Sequence, residues 1–384
     1  MTLTAKQMLS KLKVEHYKSL FDTEIDLEPL TVFIGPNGSG KSNICESLVI
    51  LSDFLNRLIA SVNNAHSSTI FFAQSLQALS KNQLNIESKF WHGNLDYLSF
   101  RVSTLKKDEV TLSQITDLMV SLKYPLQSIS INVLENDILK ASSENPYTNS
   151  LSTLLVNNSY QFSPIAYALR KVCIYDFAPF NLSNESSSSG GMDRTGQGIA
   201  YALADILFSN RKSFDELEER LRLLVPNIQR IALLRRKDQT FSLQLVDKYS
   251  ENPIPASDIS DGTLRLLAFL TALYQEDTPS IICFEEIENG VHPWLLHKMM
   301  ELLKLISTEG ITGKPVQVLI TTHSPVLLNY VEPHQVRAVE LDHEGKTQVH
   351  KLPTDSVRFQ KALEAYDGSL GELWFTNVFG GNPA

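Results

Sequence analysis

Three short apolar runs punctuate the chain: Leu30 to Ile34, Ser280 to Phe284 and Val316 to Thr321. Runs this brief, rich in β-branched residues and bounded by polar or glycine-containing segments, predict buried strands. Helical spacing follows the first run, with Ile44, Leu48, Leu51 and Leu55 on one face. It returns over Gly198 to Phe208 and over Ser213 to Leu224, where Phe214, Leu217, Leu221 and Leu224 recur at three- and four-residue steps and Pro226 ends the pattern. Leu264 to Tyr274 is apolar enough for a largely buried helix.

Elsewhere the pattern has a period of two or is mixed. Lys11 to Leu20 and Glu24 to Leu27 predict a hairpin-like entry into Leu30 to Ile34, and Val172 to Phe177 and Thr240 to Val246 predict further strands. Residues 60 to 170 are harder to read. Asn63 to Ser68 breaks the pattern, Phe71 to Leu79 has helical spacing, and Ser99 to Leu105 and Leu126 to Val133 resemble strands. Asn181 to Gly191 is a polar, glycine-ended segment expected to be a mobile loop. No internal repeat is present, and the absence of any sustained heptad excludes long coiled-coil arms.

The glycines after the first run turn a strand into a candidate site. Gly35 to Ser42 fits G-x-x-x-x-G-K-S, the phosphate-binding loop, with strand before it and helix after it. In that chemistry the amides of residues 38 to 42 face a β-phosphate, Lys41 bridges the β- and γ-phosphates, and the Ser42 hydroxyl is a magnesium ligand. The helix following the loop places its positive end under the phosphates. Tyr17 and His16 are candidates to stack on a base.

Two further runs end in chemistry. Ser280 to Phe284 leads into Glu285 and Glu286, then Ile287 to Pro293; a carboxylate at a parallel strand end suits the magnesium shell, here Glu285, and the next can orient an attacking water, here Glu286. Val316 to Thr321 leads into Thr322-His323-Ser324-Pro325, whose imidazole can donate to a γ-phosphate. Ser260 is placed to cap the helix that follows it, and Gly262 to admit a ligand to the free amides at its start.

Composition narrows the class without adding a site. The chain has 384 residues, 43% hydrophobic and 20% charged, and no apolar run reaches membrane-spanning length. Its start lacks a secretory pattern, and its only cysteines, Cys45, Cys173 and Cys283, lie among apolar neighbours, so a cytoplasmic location with reduced thiols is expected. The formal charge of −9 does not support general nucleic-acid binding, although Arg235-Arg236-Lys237 and Arg170-Lys171 are local basic clusters.

Taken together, GPNGSGKSN at 35 to 43, SDGTLR at 260 to 265, CFEEIENGVHP at 283 to 293 and TTHSP at 321 to 325 resemble, in order, the ATP-binding-cassette-type ATPases of the SMC, RecF and OLD group, in their compact AAA-type form without coiled-coil arms. The resemblance implies an α/β P-loop NTPase head: a mixed, parallel-centred core sheet flanked by helices, with a helical signature lobe. It implies a core lobe over about 1–60 and 276–384, with an inserted lobe over about 61–275. The ligands implied are ATP, wrapped by Asn37, Gly38, Ser39, Gly40, Lys41, Ser42 and Asn43, and Mg2+, held by Ser42 and Glu285. Glu286, His323 and Lys41 are the implied catalytic residues of ATP hydrolysis.

The same resemblance implies a partner. Ser260 and Gly262 of one head are expected to meet the γ-phosphate bound by another, giving a homodimer around two ATP molecules or a higher oligomer. Two departures stand out: Glu285 replaces the usual aspartate and is one methylene longer, and no glutamine loop is identifiable, Gln74 being a weak candidate. Gly368 to Phe375 resembles the ending of small defence-associated members, and the stretch after His323 is too short for the Toprim nuclease of OLD proteins. The expected function is a dimeric ATP switch controlling a separate nuclease or toxin in anti-phage defence or DNA repair. The alternatives are the nucleotide-binding subunit of a membrane transporter and an ATP-binding scaffold with little hydrolysis.

Overall fold

The structure, a computed structural model, describes residues 8–60, 74–75, 89–91, 97–104, 117–123, 128–135, 138–144, 164–184, 191–237, 240–250, 252–275, 277–311 and 313–380. The break expected at Asn63 to Ser68 lies outside them, as do most of the helix expected over Phe71 to Leu79 and most of the loop expected over Asn181 to Gly191. Gln74 is helical and exposed.

In chain order the strands are β1 (Leu9–Tyr17), β2 (Leu20–Asp26), β3 (Leu30–Ile34), β4 (Tyr97–Thr104), β5 (Asp117–Lys123), β6 (Ser128–Glu135), β7 (Ile138–Glu144), β8 (Val172–Tyr175), β9 (Ile228–Arg235), β10 (Phe241–Asp247), β11 (Pro253–Pro255), β12 (Ile281–Glu285), β13 (Gln317–Thr322), β14 (Val336–Leu341) and β15 (Thr347–Lys351). Every residue of β3, β12 and β13 is buried, as their unbroken apolar runs require. They belong to a sheet ordered β15-β14-β3-β13-β12-β8, in which β13 and β14 both run parallel to β3 and β15 returns antiparallel to β14. This is the mixed, parallel-centred α/β sheet expected from the sequence.

The chain divides into two compact units, Met1–Val172 with Pro279–Cys283 and Ile306–Ala384, and Cys173–Thr278 with Phe284–Leu305. It passes from one to the other within β8 and β12. In the first unit a helix over Lys41–Ala60 buries Ile44, Leu48, Leu51 and Leu55, the four residues at helical spacing. Each such burial contributes about 1.5–3 kcal/mol. A second sheet, antiparallel and ordered β2-β1-β4-β5-β6-β7, uses the hard-to-read stretch to extend the entry hairpin. Buried Gln317 at the start of β13 fastens that hairpin to the core, exchanging hydrogen bonds with both backbone groups of Leu9 at 3.0 and 2.8 Å.

In the second unit, the helices Ile199–Ser209, Arg211–Leu224 and Asp261–Tyr274 accompany an antiparallel sheet ordered β11-β10-β9. Phe214, Leu217 and Leu221 form the buried stripe of Arg211–Leu224, and Arg220 Nε donates to the Tyr274 hydroxyl at 2.6 Å. Aromatic rings fix the end of β12: Phe284 lies 5.8 Å from Tyr175 and 5.1 Å from Phe269 of the Asp261–Tyr274 helix, centroid to centroid. Cys45 and Cys283 are buried and Cys173 is half-buried, all as free thiols.

Candidate functional site

The first unit carries the phosphate loop. β3 delivers the chain to Gly35, and the Lys41–Ala60 helix begins at the residue that carries the loop's ammonium group. Lys41 is 5% exposed, and its Nζ donates to the carbonyls of Gly35 and Pro36, both at 2.8 Å. The ammonium is thus held above its own loop, where an arriving phosphate oxygen can replace either carbonyl. Asn37, Gly38 and Ser42 are exposed, Ser39 and Gly40 buried, and Asn43 half-buried. The Ser39 amide donates to the Pro36 carbonyl at 3.3 Å, so this loop amide already has a partner within the chain.

A bracket distant in sequence supports the loop from behind. Gly40 has a φ of +102°, and a Cβ there would lie 2.1 Å from Thr347 Oγ1 and 2.8 Å from Ser19 Oγ. The two hydroxyls are 2.7 Å apart, Thr347 Oγ1 lies 2.9 Å from the Ser39 carbonyl, and Asn43 Nδ2 donates to Ser19 Oγ at 2.8 Å. Gly40→Ala therefore forces the loop off this bracket at a cost of about 1–3 kcal/mol. We expect nucleotide affinity to fall about tenfold or more, measured by titration with a fluorescent ATP analogue.

His323 stands at the same end of the sheet. The parallel register pairs Thr322 with Ile34, so His323 and Gly35 are the first residues beyond adjoining strand ends, and the imidazole is half-exposed. Tyr17 does not fit the base-stacking role. Its ring is completely buried against Phe100, and its hydroxyl donates to Glu46 Oε2 at 3.1 Å. Alternation on β1 turns Tyr17 inward, while the His16 ring lies against Phe21 and Tyr97.

The second unit carries the carboxylates. Glu285 ends β12 and is 8% exposed; its Oε2 accepts from the Arg194 guanidinium, whereas its Oε1 has no hydrogen-bond partner among the described residues. A buried, unsatisfied carboxylate oxygen suits a hard cation such as magnesium. Among the described residues no group of three or more His, Cys, Asp or Glu side chains could hold a metal ion, so Glu285 is not part of an all-protein metal cage. Glu286 follows at a φ of +47°, a strained value for a residue with a Cβ. Asn289 holds it there, its backbone amide donating to the Glu286 carbonyl at 3.0 Å and its Nδ2 to Oε2 at 2.6 Å.

The signature segment rests on this turn. Ser260 caps the Asp261–Tyr274 helix, its Oγ accepting from the Thr263 amide at 3.4 Å, and is itself exposed. A Cβ on Gly262 would lie 2.4 Å from the Gly290 carbonyl. Gly262 therefore has a reason within its own chain: it lets the helix start pack against the turn that holds Glu286.

Two family models match the chain, one described as an AAA ATPase domain over residues 8–189 and one as an AAA domain, putative AbiEii toxin, Type IV TA system, over residues 175–329. Both are models of AAA-family domains, and together they span residues 8–329 of the chain. Among solved structures the chain is similar to an Smc head bound to the C-winged helix domain of ScpA, with 14% identity, a TM-score of 0.58, and coverage of 91% of this chain and 100% of that one. It is also similar to an Smc head with an extended coiled coil bound to the C-terminal domain of ScpA from Pyrococcus furiosus, with 13% identity, a TM-score of 0.51, and coverage of 94% and 99%. At such identities the likeness is one of fold: the chain has the fold of an SMC head. No curated protein matches it.

Arg194, Asn289, Ser19 and Thr347 escape the sequence reading. Arg194 is the second residue of an Asp-x-Thr-Gly turn in which Asp193 Oδ1 accepts from the amides of Thr195 and Gln197 at 2.8 and 3.0 Å. That turn chemistry is recognisable in sequence, but its target is not.

Proposed function

We propose that this chain binds and hydrolyses ATP as a dimeric switch, and that the switch controls a separate effector protein, a nuclease or toxin, in anti-phage defence or DNA repair. Asn37 to Asn43 wrap the phosphates, with Lys41 neutralising the β- and γ-phosphates. Ser42 and Glu285 would hold magnesium, which would supply positive charge to neutralise the phosphates. Glu286 orients and deprotonates the attacking water, and His323 donates to the γ-phosphate. Ser260 and Gly262 meet the γ-phosphate bound by a second copy, which closes the dimer. The matched AbiEii description favours defence as the setting. Among the described residues no helix is long and apolar enough to cross a membrane. The location that goes with this reading is the cytoplasm, where reduced thiols such as Cys45, Cys173 and Cys283 persist.

The observation that carries the switch is the packing of Gly262 on Gly290. The exposed helix end offered to a second copy and the turn that sets Glu286 are one packed piece, so contact with a partner's triphosphate is felt at the catalytic carboxylate. Ser260→Arg tests this. Its guanidinium projects from the exposed helix end into the second head, and light scattering with ATP and magnesium should then report monomers that still bind ATP. Dimers forming as readily as in the parent would remove the signature helix from the interface.

A further inference from the structure

Glu285 poses a mechanical problem. A glutamate has one more rotatable bond than the aspartate usual at this position, so its carboxylate can point several ways from the same strand end, and a metal ligand that wanders binds weakly. The chain answers with Arg194, which lies 91 residues earlier and donates through its terminal nitrogen to Oε2. The Arg194 segment is itself anchored. Its carbonyl accepts from the Asp176 amide at 2.8 Å, the next carbonyl, that of Thr195, accepts from the Ala178 amide at 2.9 Å, and Asn181 Nδ2 donates to Thr195 Oγ1 at 2.8 Å. With one oxygen of a carboxylate that is 8% exposed held this way, the other, Oε1, is left without a hydrogen-bond partner among the described residues.

Two roles for such a pair make opposite predictions. A guanidinium that merely neutralises the carboxylate competes with a divalent cation, and its removal tightens metal binding. A guanidinium that takes one oxygen and so fixes the direction of the other acts as an outer-shell partner, and its removal loosens metal binding. The division of the two oxygens favours the second role: Arg194 engages Oε2 and leaves Oε1 unsatisfied, where a fork gripping both oxygens would block the site. We propose that Arg194 is a positioning residue that locks the longer Glu285 side chain and presents Oε1 to magnesium. The proposal rests on the assignment of Glu285 to the magnesium shell made above.

The test is the affinity of the full chain for Mn2+ in the presence of a non-hydrolysable ATP analogue, read from the free Mn2+ signal in electron paramagnetic resonance. Arg194→Ala should weaken Mn2+ binding by about 10–100-fold, while analogue binding in EDTA is retained. Arg194→Lys, which keeps the charge but loses the planar fork, should fall between Arg194→Ala and the parent. A melting curve without metal checks that each variant folds, and Arg194→Lys carries the test should Arg194→Ala prove unfolded. Unchanged or tighter Mn2+ binding in the folded variants would overturn the positioning role. A parent chain showing no nucleotide-dependent Mn2+ site would instead remove the magnesium assignment itself, and the proposal with it.

Discussion

Glu286→Gln is expected to lower steady-state phosphate release by about 10²–10⁴-fold while leaving ATP bound, the range for losing a positioned general base. The geometry makes this substitution unusually clean. Glu286 is held at a φ of +47° with Asn289 Nδ2 donating to its Oε2 at 2.6 Å, and a glutamine in the same place keeps an oxygen for that bond. What it loses is the capacity to take a proton from water. With chemistry stopped after binding, a dimer closed by ATP has no route to open, so light scattering with ATP and magnesium should show twice the monomer mass for Glu286→Gln. Lys41→Ala should show the monomer mass under the same conditions, because its ammonium is the loop's own counter-charge to the phosphates. Equal phosphate-release rates in parent and Glu286→Gln would remove Glu286 from the catalytic role, and an unchanged mass would count against a shared site.

The parts of this reading that were legible in sequence share one property: their cause is local. β3, β12 and β13 are buried on both faces, so each appears as an unbroken apolar run, and the phosphate loop, Glu285, Glu286 and His323 each follow directly from such a run. β14 and β15 did not announce themselves. β14 contains Arg337, an arginine only 1% exposed as the second residue of a core strand, which in sequence looks like a surface residue. β15 is a short strand whose exposed half is polar. Pairings between distant segments were equally invisible, since nothing in residues 97 to 104 indicates that they lie beside β1. The same holds for the supporting side chains: Thr347 reaches Ser19 across 328 positions, and Arg194 reaches Glu285 across 91. Periodicity reports which face is buried, not what it is buried against.

Arg337 also gives the largest stability effect expected. Its Nε donates to the Asp26 carbonyl at 2.8 Å, and its Nη1 to the carbonyls of His334 and Val336 at 2.6 and 2.9 Å, so one side chain joins the end of β2 to the start of β14. β14 in turn pairs with β3, with Arg337 opposite Phe33, immediately before the phosphate loop. Burial pushes the guanidinium below the ordinary arginine pKa, with Glu28 and Asp26 opposing the shift, and its Nη2 has no hydrogen-bond partner among the described residues. The cation is therefore imperfectly paired, and simple removal has two opposing consequences: relief of a desolvated charge, and loss of a donor to three carbonyls together with a cavity. For Arg337→Ala the losses outweigh the relief, and unfolding in urea should show a stability lower by about 3–5 kcal/mol. Arg337→Met fills most of the cavity and removes the same charge, so it should recover at least half of that loss. If the two variants lose stability equally, the three carbonyl hydrogen bonds rather than packing hold β14 beside the strand that carries the nucleotide loop.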